Sequence, residues 1–225
     1  MNKYVEGREI GEIWGLQTIG IAKSEEEMQA HLSSLPKGGQ EAIGSKWSAG
    51  DIMYRDLNGD GKISKGASTL DDHGDLKVIG NSTPRYFFGI DLNADWKGFD
   101  VRLFFQGVMK RDYWGKDNFC GYLFGARGDK DMWHARGLVE HQDYFRAQAI
   151  GIDGHELPAN LDAYYPRPVF KEGAKNQETQ SRYLQDASYI RLKNFQLGYT
   201  LPTKWMKNIG SVSYTHLRAH ETGRN

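Results

Sequence analysis

The amino-acid sequence predicts an all-β chain of antiparallel strands with long loops and one short helix, and three features carry that expectation. Residues 86–108 alternate apolar and polar side chains with a period of two across a Lys97-Gly98 turn. A second alternating run occupies residues 187–201 and stops at Pro202, which has no N–H to join a sheet ladder. Composition agrees: 27 glycines and 12% aromatics, with a mean hydropathy of −0.67, describe a chain rich in rings and turn formers but poor in aliphatic runs.

The hairpin is the most informative element. Tyr86, Phe88, Ile90, Leu92, Ala94 and Trp96 share one parity, against Phe87, Gly89, Asp91, Asn93 and Asp95 on the other. After the turn, Phe99, Val101, Leu103 and Phe105 oppose Asp100, Arg102, Phe104 and Gln106. Each arm is about ten residues long, which matches the 9 to 11 or so that a tilted membrane-crossing strand needs and exceeds the 5 to 6 or so typical of soluble strands. Tyr86 and Trp96 close the apolar stripe at its ends, as aromatic girdles do at membrane interfaces. The same alternation suits a half-buried hairpin in a soluble β-sandwich, so pattern alone leaves both open.

In the second run Ile190 and Leu192 have one parity while Phe195, Leu197, Tyr199 and Leu201 have the other. That change of phase near Lys193-Asn194 predicts a bulge, or a strand leaving the bilayer there. Nearer the N-terminus, residues 10–21 form a glycine-punctuated β-like run. Ser24 followed by Glu25, Glu26 and Glu27 then predicts a capped helix reaching about Leu32. Between Lys110 and Gln185 the sequence lacks sustained periodicity, as expected for long loops on the outer side of a barrel.

Several function classes are excluded at this level. No stretch approaches the roughly 18 to 20 consecutive apolar residues of a membrane helix, although strands that wet every second residue escape that test. Lys+Arg and Asp+Glu are 29 each, so no basic field marks a nucleic-acid binder. Cys120 is the single cysteine, which rules out an internal disulfide or a multi-cysteine zinc site. Residues 1–10 have no apolar segment that would direct export, so any signal is expected upstream. His31, His73, His134, His141 and His155 never fall into a HExxH spacing, there is no GxSxG elbow, and the glycine-rich stretches lack a phosphate-loop lysine. No enzyme is therefore expected; a hydrolase using paired carboxylates has no supporting spacing.

Two binding candidates remain. Asp56-Leu-Asn-Gly-Asp-Gly61-Lys-Ile63 matches the first half of an EF-hand loop, with oxygen ligands from Asp56, Asn58 and Asp60 and the Lys62 backbone beside them. Ala67 occupies the position of the closing glutamate, so a bound Ca²⁺ would need Asp71 or Asp72 as a late carboxylate. An Asx-rich turn that binds no ion is the alternative. Trp114, Trp133, Tyr164 and Tyr165 offer ring faces for stacking on a sugar, or pack their own loop.

Four blocks, taken together and in order, resemble the C-terminal barrel region of the SusC/RagA family of TonB-linked outer-membrane transporters. They are IGEIWGLQTIGI (10–21), GDIMYRDLNGDGKI (50–63), IGNSTPRY (79–86) running on to Phe105-Gln-Gly107, and YIRLKNFQLGYTLP (189–202). The resemblance covers about residues 4–210. It implies a fragment of a large antiparallel transmembrane β-barrel of the TonB-dependent receptor type, located in the bacterial outer membrane. It also implies import of a glycan or peptide, a SusD-like lipoprotein as partner, TonB contacted through a missing N-terminal part, and Leu92, Leu103 and Phe105 facing lipid. Asp91, Asn93, Asp95, Asp100, Arg102 and Gln106 would then face the lumen. A soluble carbohydrate-binding β-sandwich is the alternative. Residues 1–211 are assigned to the barrel region. Residues 212–225, with Val212–Thr222 resembling a translated sequencing adapter, are expected to be an artefactual tail; His216 and His220 go with them.

Overall fold

A computed structural model describes residues 6–115, 142–152, 154–169, 173–202 and 204. Cys120 and the expected tail at 212–225 lie outside the described residues. In chain order the elements are β1 (Glu12–Leu16), β2 (Thr18–Ile21), α1 (Glu25–Ser33), β3 (Ile52–Tyr54), β4 (Leu76–Asn81), β5 (Tyr86–Trp96), β6 (Phe99–Met109), β7 (Asp112–Tyr113), β8 (Ile150–Ile152), β9 (His155–Leu157), β10 (Gln185–Asp186) and β11 (Tyr189–Tyr199). Every strand pairing with an assigned register is antiparallel. The chain divides into two compact units, Met1–Ser82 with Tyr113–Gln185 and Thr83–Asp112 with Asp186–Asn225.

The second unit holds a three-stranded sheet in the order β11-β6-β5. Lys97 and Gly98 both take positive φ, 47° and 90°, the pairing that a two-residue type I′ hairpin turn requires. Register then runs without slip from Trp96↔Phe99 to Tyr86↔Met109. Glycines make room for rings. A Cβ at Gly107 would collide with the Phe88 ring and approach the Tyr189 carbonyl to 2.8 Å. Gly107→Ala is expected to destabilise this hairpin by about 1 to 3 kcal/mol through overpacking, and pairing it with Phe88→Ala should recover part of the loss in a thermal melt.

Two features of the first unit were not specified by the sequence. Residues 10–21 do not form one strand: β1 pairs with β4 and β2 with β3, so the run splits at Gln17 between two partners. Moreover, described residues from the aperiodic 110–185 stretch contribute to a packed core. Phe145, Ala163, Tyr165 and Tyr183 join Leu16, Met28, Ile52, Tyr54 and Ile63 there. Helix α1 starts where predicted, with Ser24 accepting the Glu27 N–H at 3.2 Å and three glutamates in the first turn. Its sole buried residue is Met28. Ser24→Ala should therefore cost about 1 kcal/mol, seen as lower protection of α1 amides in hydrogen exchange.

Candidate functional site

Directly paired residues of an antiparallel sheet point to the same side, so the register of the β11-β6-β5 sheet sorts its side chains into two faces. One face carries Phe88, Ile90, Leu92 and Ala94 from β5 and their partners Gly107, Phe105, Leu103 and Val101 from β6. From β11 it receives Ile190 and Leu192 opposite Gly107 and Phe105, then Phe195, Leu197 and Tyr199 opposite Leu103, Val101 and Phe99. The register shift between Leu192 and Asn194 makes this possible. One extra residue, Lys193, swaps the parity of everything after it, and both apolar sets of β11 land on one side. None of the residues that the register places on that face is charged; Lys193, the bulge residue, has no partner in the register. Leu92 is 50% exposed and Ile190 59%, values far from those of a core.

The opposite face carries Gly89, Asp91, Asn93 and Asp95 from β5, Asp100, Arg102, Phe104 and Gln106 from β6, and Arg191, Asn194 and Gln196 from β11, with Phe87, Val108 and Tyr189 in register at the Tyr86 end. Arg102 grips Asp91 with two bonds, Nε to Oδ1 at 3.1 Å and a terminal nitrogen to Oδ2 at 2.5 Å. Both partners are substantially exposed, so the pair contributes little to stability and mainly orients a charged wall. Each strand is 11 residues long. At about 3.4 Å per residue that is some 37 Å, and a tilt near 45° brings the height to about 26 Å, close to the roughly 25 Å apolar band of an outer-membrane barrel.

The Asp56 loop is organised by its own backbone. Asp56 accepts N–H bonds from Gly59 (2.7 Å) and Gly61 (2.8 Å), Asn58 from Asp60 (2.9 Å), and Asp60 from Lys62 (3.1 Å). Asp72 turns to Ala67 N at 3.0 Å, while Asp71 is exposed. Among the described residues no group of three or more His, Cys, Asp or Glu is placed to hold a metal ion. The geometry is that of successive Asx turns. Sequence reasoning missed Asp75, which is fully buried and braces the loop by accepting from Leu57 (2.8 Å), Asn58 (3.4 Å) and Ser64 (2.7 Å).

Among the described aromatic candidates, Tyr164, Tyr165 and Trp114 pack on the core. Tyr165 is 4% exposed and belongs to the core, stacked on Tyr183 at 5.9 Å and edge-on to Tyr164 at 4.9 Å. Tyr165 therefore has no ring face open to a sugar, a correction to the expected stacking role. Tyr164 and Trp114 are half-buried against the same core, and the Tyr164 hydroxyl accepts from Gln185 Nε2 at 3.1 Å. Trp133, His134 and His141 lie outside the described residues. His31 is half-buried beside the Gln40 amide oxygen at 3.2 Å, and burial holds its pKa below the usual imidazole value.

A polar cluster centred on Asp51 was not visible in the sequence. Asp51 is fully buried and accepts from Arg167 (3.0 and 2.9 Å), Lys175 (2.7 Å), Asn176 (3.0 Å) and the Ser48 N–H (3.0 Å). Lys175, 1% exposed, uses its other two protons on the carbonyls of Ser45 (3.0 Å) and Lys46 (2.8 Å) and sits 4.7 Å from the Trp47 ring centre. Burial pushes the Asp51 pKa up, but the bonds from Arg167, Lys175 and Asn176 outweigh it and hold the carboxyl below its ordinary value. More than 115 residues separate Asp51 from its side-chain partners, with |i−j| of 116 for Arg167 and 124 for Lys175.

No family model matches the chain. Two TonB-dependent receptors of Formosa agariphila, P3 and P26, match over 98% and 99% of the chain at 27% and 25% identity. The chain resembles a stretch of TonB-dependent receptors. It spans 18% of the length of each of these relatives. A third, TonB-dependent receptor P39 of the same organism, matches 76% of the chain at 25% identity. Among solved structures, one chain of the RagAB peptide importer in its open-open state covers 92% of the chain with a TM-score of 0.44 and 19% identity, and 18% of that importer chain is matched. These relatives are named as receptors and an importer, not as enzymes.

Proposed function

We propose that this chain forms part of the wall of an outer-membrane β-barrel which, in the complete protein, imports a nutrient by TonB-coupled transport. One observation carries the reading: in a sheet of three 11-residue strands the residues paired on one side carry no charge and stand open, while the other side holds Asp91, Asp95, Asp100, Arg102 and Arg191. A membrane span satisfies both faces at once, hydrocarbon against the first and a water-filled lumen against the second. A soluble sandwich would bury the apolar side under a second sheet, whereas Leu92 and Ile190 are exposed.

In this reading the chain supplies lipid-facing strands, part of the lumen wall and outer loops. The cargo is a glycan or peptide, TonB supplies the energy through another part of the protein, and a SusD-like lipoprotein covers the outer mouth. The peptide option takes its support from the RagAB name, and the receptor names of the curated relatives favour import over catalysis. Deleting the full-length gene should abolish growth on the cognate glycan or peptide mixture and uptake of a labelled cargo, both restored by the intact gene but not in a TonB-deficient strain. Growth and uptake independent of TonB would end this reading. The barrel part is checked separately: expressed without detergent, a membrane segment with open sheet edges should aggregate, and a dispersed monomer would contradict it.

A further inference from the structure

Two lysines stand at the ends of the apolar face in a backbone conformation that favours glycine. Lys97, at φ 47°, follows β5, and Lys110, at φ 52°, follows β6. A side chain costs on the order of 1 kcal/mol in the left-handed region; the type I′ turn sets that conformation for Lys97, whereas Lys110 takes it directly after β6. Each places its ammonium over the aromatic ring that closes the apolar stripe at its own end: Lys97 Nζ lies 4.9 Å from the Trp96 ring centre and Lys110 Nζ 5.9 Å from that of Tyr86. An ammonium at the rim of an oily face, above a ring, is where a lysine reaches from hydrocarbon to the headgroup layer.

The two ends differ in charge. Beside Lys97, Asp95 and Asp100 stand directly opposite one another, so the turn end is acidic. Beside Lys110 stand Arg111 and Arg85, both exposed, with Asp112 half-buried next in the chain. Arg85 donates its backbone N–H to the Lys110 carbonyl at 3.3 Å, which brings the two main chains together at this end. The β5–β6 connection is the two-residue turn at the acidic end, whereas the long connection from β6 to β11 leaves from the Lys110 end. In an outer-membrane barrel, short turns lie on the inner side and long loops on the outer.

We propose that the Lys110–Arg111 rim, with Tyr86 as its platform, binds the phosphate of an anionic lipid headgroup on the loop side of the membrane, and that Lys97 does not. The inference rests on the barrel reading above. Its test uses the full-length transporter purified in detergent with mixed phosphatidylglycerol and phosphatidylcholine, and native mass spectrometry measures the ratio of the two lipids retained. Lys110→Gly relieves the backbone while removing the ammonium, so it should leave the melting temperature unchanged or raised yet lower the retained phosphatidylglycerol ratio about fivefold. Lys110→Arg should keep the ratio, and Lys97→Gly should not move it. An unchanged ratio in Lys110→Gly, an equal fall in Lys97→Gly, or displacement of the lipid by inorganic phosphate would each overturn the site; loss to phosphate would mark a free-anion site. A nitroxide on Leu103→Cys separates this from the barrel reading. If the label meets water instead of oxygen-rich hydrocarbon, the barrel itself is wrong; if it meets hydrocarbon while the lipid ratio stays put, only the rim assignment fails.

Discussion

Leu103→Arg in the full-length protein is expected to lower barrel stability by about 2 to 4 kcal/mol, while the neighbouring Arg102→Leu should cost well under half of that. The two positions are adjacent in β6 and differ only in the side they present. Leu103 pairs with Leu92 and Phe195 on the uncharged face, and a guanidinium there near the middle of the band must be drawn into hydrocarbon. Arg102 pairs with Asn93 and Gln196 on the polar face, where its exposed bond to Asp91 is replaceable by water. Denaturant unfolding from lipid vesicles measures both. Similar losses at the two positions would show that the faces are not lipid and lumen.

Asp51→Ala should destabilise the first unit by about 3 to 5 kcal/mol, because it strands a buried ammonium. Lys175 is nearly inaccessible and would keep only two carbonyl partners, and the Arg167 and Asn176 bonds would be lost together. A double replacement, Asp51→Leu with Lys175→Met, should be milder than the single one, since removing both charges leaves neither unpaired. Thermal melts followed by limited proteolysis of residues 142–185 would report the effect, and a single-variant loss below about 1 kcal/mol would mean that water reaches the site. The sign of the pH dependence follows from the depressed carboxyl. With a folded pKa below the unfolded value of 3.8, the Asp51 contribution is complete above that value and disappears as pH falls through the lower, folded one. Acid unfolding of this unit should therefore begin below about pH 4.

Several elements were legible in the sequence because their causes are local. The hairpin 86–108 was, since a two-residue turn and strict alternation leave one register, and the Ser24 cap was, since it acts over three residues. The parity change in β11 could be seen but not interpreted. A bulge and an exit from the bilayer have the same one-dimensional pattern, and only the pairing of Leu192 with Phe105 and Asn194 with Phe104 decides for the bulge. Tyr164 and Tyr165 show the opposite limit. A ring in an aperiodic segment is as good a sugar platform as a core residue until its neighbours are known, and here Tyr183 and Leu16 belong to the same core as Tyr165.

By itself, then, the order of residues determined the two-sided strands, the turn between them, the helix start and the likeness to TonB-linked transporters, because each depends on neighbours within a few positions or on a linear match. Tertiary structure alone decided that Asp51, Arg167 and Lys175 meet, that residues 10–21 divide between two partners, and that Asp75 braces the Asp56 loop. Those outcomes depend on contacts across intervals that carry no period, where burial and hydrogen-bond satisfaction select the partner and sequence spacing does not.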